Sequence, residues 1–272
     1  MNGQRLGIDP YGEYVVAVRV DHDGGRTVVR SAERLESADS AEVGTARCVC
    51  AVPDRDVIVK SLHVRSDQPL SQEDRARFEM AASLLDPESE FTIDLIPTAR
   101  EHRVVGLAYR QRDRATPPGG SPVDGRMRAA ALGMGYLAFG RIEPGDLLCL
   151  ADIGIDTVSI CLLYQKRIIN LAHLSLNGFD PATERGCRQV AVELRTVVNF
   201  KLAELAEWGI TVPLAKLILS GRCRDTALPE FTRLFPSGVA RPSLNEAYFD
   251  ERARRSGIEP ERCMVALGLT VK

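Results

Sequence analysis

Apolar positions in the first 110 residues recur mostly every second residue, the period of a half-buried strand. Residues 6–20 and 26–35 read as a hairpin around the turn Asp23-Gly24-Gly25. Residues 47–52 and 56–64 alternate β-branched and polar side chains on either side of Pro53-Asp54-Arg55. A helix follows, with Ser71 as cap, Glu73 and Asp74 in its first turn, and an apolar stripe of Phe78, Ala81, Ala82 and Leu85 that reads as core before Asp86-Pro87 ends it. Strands at 91–96 and 103–110 lead to Thr116-Pro117-Pro118-Gly119-Gly120-Ser121-Pro122, which has the composition of a connection between lobes.

The second half repeats the scheme. A short Ala- and Gly-rich helix at 126–139 precedes three strands, at 147–151, 157–164 and 167–174. The longest helix is predicted from Asp180-Pro181 to Gly209, striped by Cys187, Ala191, Leu194, Val198, Leu202 and Leu205. A buried strand at 214–219, a helix at 225–234, an irregular loop at 236–245 and a last helix at 259–269 complete the chain. Hairpins followed by helices in each half predict two α/β lobes around mixed sheets.

Within this repeat lies a smaller one, an apolar strand ending in Asp, a Gly-containing turn and a second apolar strand. The first copy is Leu6-Gly7-Ile8-Asp9-Pro10-Tyr11-Gly12 leading into Tyr14-Val15-Val16-Ala17-Val18; the second passes from Leu147 through Asp152-Ile153-Gly154 to Thr157. One Asp from each lobe, each beside a tight turn, can hold metal and phosphate in a cleft. Asp-Pro-x-Gly is also type I turn chemistry, which accounts for either copy without a ligand. The duplication is what favours the ligand reading.

Composition narrows the function classes. With 272 residues, 44% hydrophobic, the chain can bury a sizeable core as one large or two small domains. Its 35 basic and 37 acidic residues give a net charge of −2 without a basic block, so no nucleic-acid partner is expected. No apolar run approaches the roughly 20 residues that span a bilayer, and no signal segment precedes the first strand, which predicts a cytoplasmic protein. Seven scattered cysteines, mostly in apolar stretches, read as reduced core residues, and Cys48 and Cys50 lack a second pair to complete a zinc site. His22, His63, His102 and His173 are dispersed, no Gly-x-Ser-x-Gly or Walker-type loop occurs, and Trp208 reads as a packing anchor.

The order of elements and the motifs resemble the actin-like ATPases, a two-lobed fold of duplicated RNase H-like units, and within them the PilM-type pilus assembly proteins, with FtsA a more distant relative. Residues 6–20 resemble the first phosphate loop and Leu150-Ala151-Asp152-Ile153-Gly154-Ile155-Asp156-Thr157 the second. Ile218-Leu219-Ser220-Gly221 resembles the start of the adenosine motif, and Ala266-Leu267-Gly268-Leu269 the PilM-type C-terminal signature. The stretch between the phosphate loops resembles the small subdomain that sets PilM and FtsA apart from actin.

The resemblance implies a first lobe at 1–120 with an inserted α/β subdomain at about 54–112, and a second lobe at 121–272. It implies Mg-ATP as the one cofactor to consider, held by Asp9, Gly12, Asp152, Gly154, Thr157, Ser220 and Gly221. Three departures weaken that site. Gly12 comes one place late and Val16 lies near where the family has Lys; Pro10 removes a backbone donor and Tyr11 adds bulk where bare backbone meets phosphate. Arg222 stands where the adenosine motif has a second Gly, and the segment after Gly178 is too short for the full roof subdomain of the second lobe.

The reading is therefore a cytoplasmic actin-like scaffold, not an enzyme, in a type IV pilus or related secretion machine. Its partner would be the cytoplasmic tail of a PilN-like membrane protein, laid between the first lobe's sheet and the inserted subdomain, with residues drawn from about 56–95. Association with the inner membrane would be indirect, through that partner. Self-association is a family habit in FtsA that this sequence leaves open. A working PilM-type ATPase and a GspL-like type II secretion platform domain stand as alternatives.

Overall fold

The computed structural model of the chain describes residues 3–23, 25–41, 44–64, 71–84, 91–100, 102–110, 124–143, 145–222, 228–256 and 259–271. The predicted helix end at Asp86-Pro87, the connection Thr116 to Pro122 and the helix start at Asp225 lie outside the described residues. In chain order the first elements are β1 (Gly3–Pro10), β2 (Val15–Asp23), β3 (Arg26–Leu35), β4 (Arg47–Val52) and β5 (Val57–His63). Helix α1 (Gln72–Ala81) precedes β6 (Phe91–Pro97), β7 (Arg103–Arg110) and β8 (Asp124–Met127). Then come α2 (Arg128–Phe139), β9 (Leu147–Ile153), β10 (Thr157–Tyr164), β11 (Arg167–Ser175) and α3 (Glu184–Glu207). The chain continues with β12 (Leu214–Gly221), α4 (Leu228–Leu234), β13 (Val239–Ala240), α5 (Glu251–Arg255) and α6 (Met264–Leu269).

The repeat seen in the sequence is a repeat of topology. One sheet has the order β3-β2-β1-β4-β8 and the other β11-β10-β9-β12-β13. In each, an antiparallel three-strand meander is extended by parallel strands beyond its first strand. Alternation then gives each sheet two apolar faces. Val16, Val18 and Val20 face a central core while Leu6, Ile8, Val15 and Ala17 pack outward with Cys48 and Cys50. Strand β9 is buried along its whole length, with Leu148 and Leu150 in the central core and Leu147, Cys149, Ala151 and Ile153 in the core beneath α3.

Helices α2 and α6 fill the space between the sheets, α6 against β1, β2 and β4, α2 against β10 and β11. They pack closely because Gly268 leaves its position bare. A Cβ there would overlap the Ala131 carbonyl oxygen, and one on Gly135 would overlap that of Met264. The Ala-Leu-Gly-Leu run near the C-terminus is thus a packing device that seats α6 on α2. Strand β8, on the second-lobe side of the 120/121 division, is the edge strand of the first sheet, paired with β4.

The inserted unit is a three-stranded sheet, order β5-β7-β6, with α1 on one face. Ser71 caps α1, its side chain accepting from the Asp74 N–H at 3.1 Å. The predicted stripe is corrected, because Ala76 and Met80 are the fully buried positions and Phe78 is 70% exposed. Packing against β5, β6 and β7 turns Ala76 and Met80 inward, on a different face from the one that local hydrophobicity marks. The long helix begins three residues later than predicted. Asp180 instead closes its own turn, accepting from the Ala182 N–H, and Thr183 is the cap, accepting from the Gly186 N–H at 3.1 Å. The last helix divides into a 3-10 turn at Pro260–Cys263 and α6. Strands β8 and β13 and helix α5 were not predicted; each is five residues or shorter, too short to show a period. Trp208 packs at the edge of the core under α3, with the Arg103 guanidinium 5.1 Å from its ring centroid. The six described cysteines that are free are all buried.

Candidate functional site

Strands β1 and β9 occupy equivalent places in the two sheets, so their C-terminal residues Asp9 and Asp152 meet in the cleft between lobes. Asp9 has no exposed surface and Asp152 is 2% exposed. Between them lies a third side chain, Arg128, the first residue of α2. Its Nε donates to Asp9 Oδ1 at 2.9 Å, and its Nη2 donates to both Asp9 Oδ2 at 3.0 Å and Asp152 Oδ2 at 2.9 Å. The remaining oxygen of Asp152 accepts from the Ser220 hydroxyl at 2.7 Å. Every carboxylate oxygen of the pair therefore has a partner within the chain.

The surrounding loops close on this cluster. Tyr11 is buried, its hydroxyl donating to the Ile153 carbonyl at 2.9 Å and its ring 5.1 Å from the Arg128 guanidinium carbon. Tyr14 stacks on Tyr11 at 5.4 Å, and Arg34 covers Tyr14 at 3.9 Å. Gly12, with φ +81°, lies against the second loop, where a Cβ would come within 2.8 Å of Ile155 Cδ1. Gly221, with φ +87°, has no room for a Cβ beside the Tyr11 hydroxyl. A Cβ on Gly154 would fall 2.9 Å from the Thr157 carbonyl oxygen and 3.1 Å from Arg128 Nη1.

Burial pushes the Asp9 carboxyl up to about 6, although Arg128 pulls it down. For Arg128 burial alone would lower the pKa; Asp9 and Asp152 more than reverse that, so it stays charged. Burial, and then Asp152, push the Tyr11 hydroxyl well above its usual range. Asp54 is a second fully buried carboxylate. It accepts from the Ala129 N–H at 2.9 Å and so caps the start of α2, and burial raises its pKa. Ser159 lies near enough to favour its anion, yet its hydroxyl and Asp54 Oδ2 do not meet hydrogen-bond geometry.

All seven residues named from the sequence, Asp9, Gly12, Asp152, Gly154, Thr157, Ser220 and Gly221, thus converge on one place. Arg128 and Asp54 were missed as members of it. The available signal for Arg128 was a lone cation heading an otherwise apolar helix, a residue type that is seldom buried unless paired.

No protein-family model matches the sequence, and no curated protein matches it. Solved structures do. A chain of the PilM–PilN type IV pilus biogenesis complex superposes with a TM-score of 0.65 at 18% identity, covering 98% of this chain and 97% of that one. A Bacteroides thetaiotaomicron protein described as having an actin-like ATPase fold and unknown function gives 0.55 at 7% identity, covering 99% and 96%. The fold is the actin-like ATPase fold. The cytoplasmic domain of EpsL, from the type II secretion system of Vibrio cholerae, is more distant, at a TM-score of 0.49 and 10% identity with 99% and 96% covered.

Actin-like folds bring Mg-ATP into question, and the residues present fit it poorly. A magnesium ion needs free oxygen ligands, and a phosphate needs free backbone donors. Here both carboxylates are bound to a guanidinium. Three of the loop donors are already used, the N–H of Tyr11 on the Tyr14 carbonyl, that of Gly154 on Thr157 and that of Arg222 on Ile153. Pro10 offers none. Among the described residues, open grooves lie along β2, β3 and residues 247–256, one of them of about 600 Å³.

Proposed function

We propose that the protein is an actin-like scaffold of a type IV pilus or related secretion machine, working without nucleotide hydrolysis. The observation that carries this reading is the two-way match, over nearly the whole of both chains, to a chain of a pilus assembly complex. That match takes in the inserted sheet as well as both lobes. The filled cleft supports the second half of the reading, since phosphoryl transfer is almost entirely positioning and electrostatic stabilisation. The alternative of a working ATPase needs Asp9, Asp152, Gly154 and Thr157 to hold magnesium and phosphate, and Arg128 would first have to leave.

The partner we propose is the extended cytoplasmic tail of a PilN-like membrane protein, with the protein itself on the cytoplasmic side and at the membrane only through that tail. No described helix is long and apolar enough to cross a membrane. In the inserted sheet β5 is an outer strand, and it leaves the first sheet through the short turn Asp54–Asp56, so its edge borders the junction of the two units. An extended peptide can join such an edge through main-chain hydrogen bonds. Ile58 on β5 and Phe78 on α1 are two exposed large hydrophobic side chains within the proposed span, and they offer apolar contact to the tail.

Calorimetric titration of the full chain with a PilN-like N-terminal peptide tests this. Saturable binding that Ile58→Asp weakens at least about tenfold is the expected result. No binding by the wild-type chain would overturn the proposed partner.

A further inference from the structure

An actin-like cleft offers a ligand two devices, a pair of carboxylates that attract a cation and a helix N-terminus that attracts an anion. In this chain both are occupied by its own side chains. Arg128 joins Asp9 to Asp152, and the Asp54 carboxylate caps the N-terminal turn of α2. We propose that Arg128 is the resident cation of the cleft, standing in for a bound metal and holding the two lobes closed without a ligand.

Geometry and charge support it. One guanidinium nitrogen lies within 3.0 Å of an oxygen from each lobe, so a single side chain bridges the two sheets. Arg128 is fixed from behind by α2, which α6 pins through the Gly268 contact, and its charge is covered by the Tyr11 ring. A guanidinium cannot be deprotonated in proteins, so the cation of the bridge keeps its charge. Lysine could not replace it, because one ammonium lacks the fork that reaches Asp9 with two parallel bonds and Asp152 with a third contact. The inference rests on reading the cleft as free of nucleotide; its test uses neither nucleotide nor peptide, so its failure leaves the docking proposal standing.

The test is a Mn²⁺ titration of the purified full chain, read by electron paramagnetic resonance. Wild-type protein is expected to bind no Mn²⁺ in the cleft. Arg128→Ala frees two facing carboxylates and is expected to bind Mn²⁺ at least about tenfold more tightly than wild type, a gain that Asp152→Asn added to it removes. A folded Arg128→Ala variant with no gain overturns the proposal, as does wild-type binding that matches the variant. Should Arg128→Ala fail to fold with or without Mn²⁺, the wild-type chain decides. Its Arg128 Nε–H resonance, assigned by through-bond correlation in the wild-type chain, is expected to stay sharp and slow to exchange in excess Mn²⁺. Broadening of that resonance overturns the proposal.

Discussion

Arg128→Ala is expected to destabilise the folded protein by about 3–5 kcal/mol, the range for breaking a buried ion pair from one side. The substitution leaves two buried carboxylates facing one another, with Ser220 still bonded to Asp152. Two like charges sharing one buried site resist ionising together, so the chain must take up a proton or open the cleft. Asp152→Asn should cost less, since Arg128 keeps its two bonds to Asp9. Replacing Asp9, Arg128 and Asp152 together by apolar residues of similar size should cost least of the three, because the desolvation of the charges disappears with the charges. Urea denaturation of the three variants checks the order. If Arg128→Ala is the mildest, the bridge is not what holds this cleft.

Gly268→Val is the second large effect, expected to cost about 3 kcal/mol or more, at or above the upper end of ordinary overpacking. The obstacle is backbone, the Ala131 carbonyl of α2, so no rotamer relieves it and the helices must separate. Separation would also shift the start of α2, where Arg128 and the Asp54 cap lie. A loss of roughly 6–12 °C in melting temperature follows for a chain of this size. Gly268→Ala should show a good part of the same loss, because the Cβ itself makes the clash. A Gly268→Ala variant that melts with the wild type would mean that α2 and α6 do not pack this closely.

The fold was legible because its strands alternate cleanly and its repeat is written twice. Leu6 to Asp9 and Leu147 to Asp152 read as equivalent in the sequence alone, and the two sheets have equivalent strand orders. Elements set by tertiary pairing were less legible. Strand β8 is four residues long and exists because β4 offers it an edge; α1 turns Met80 inward and Phe78 outward because of the sheet beneath it. The site was half legible. Position-specific motifs marked Asp9, Gly12, Asp152, Gly154, Thr157, Ser220 and Gly221, and the structure buries Tyr11 beside them. The group that fills the cleft, Arg128, comes from a helix far from either motif, and a pairing across 119 residues leaves no local signature.

The most direct test of the account is calorimetric titration of the wild-type chain with Mg-ATP. A cleft already closed by Arg128 and Tyr11 predicts no saturable binding tighter than about 1 mM. Micromolar binding would contradict the account, because it would require Arg128 to leave both carboxylates and the loops around Tyr11 to open.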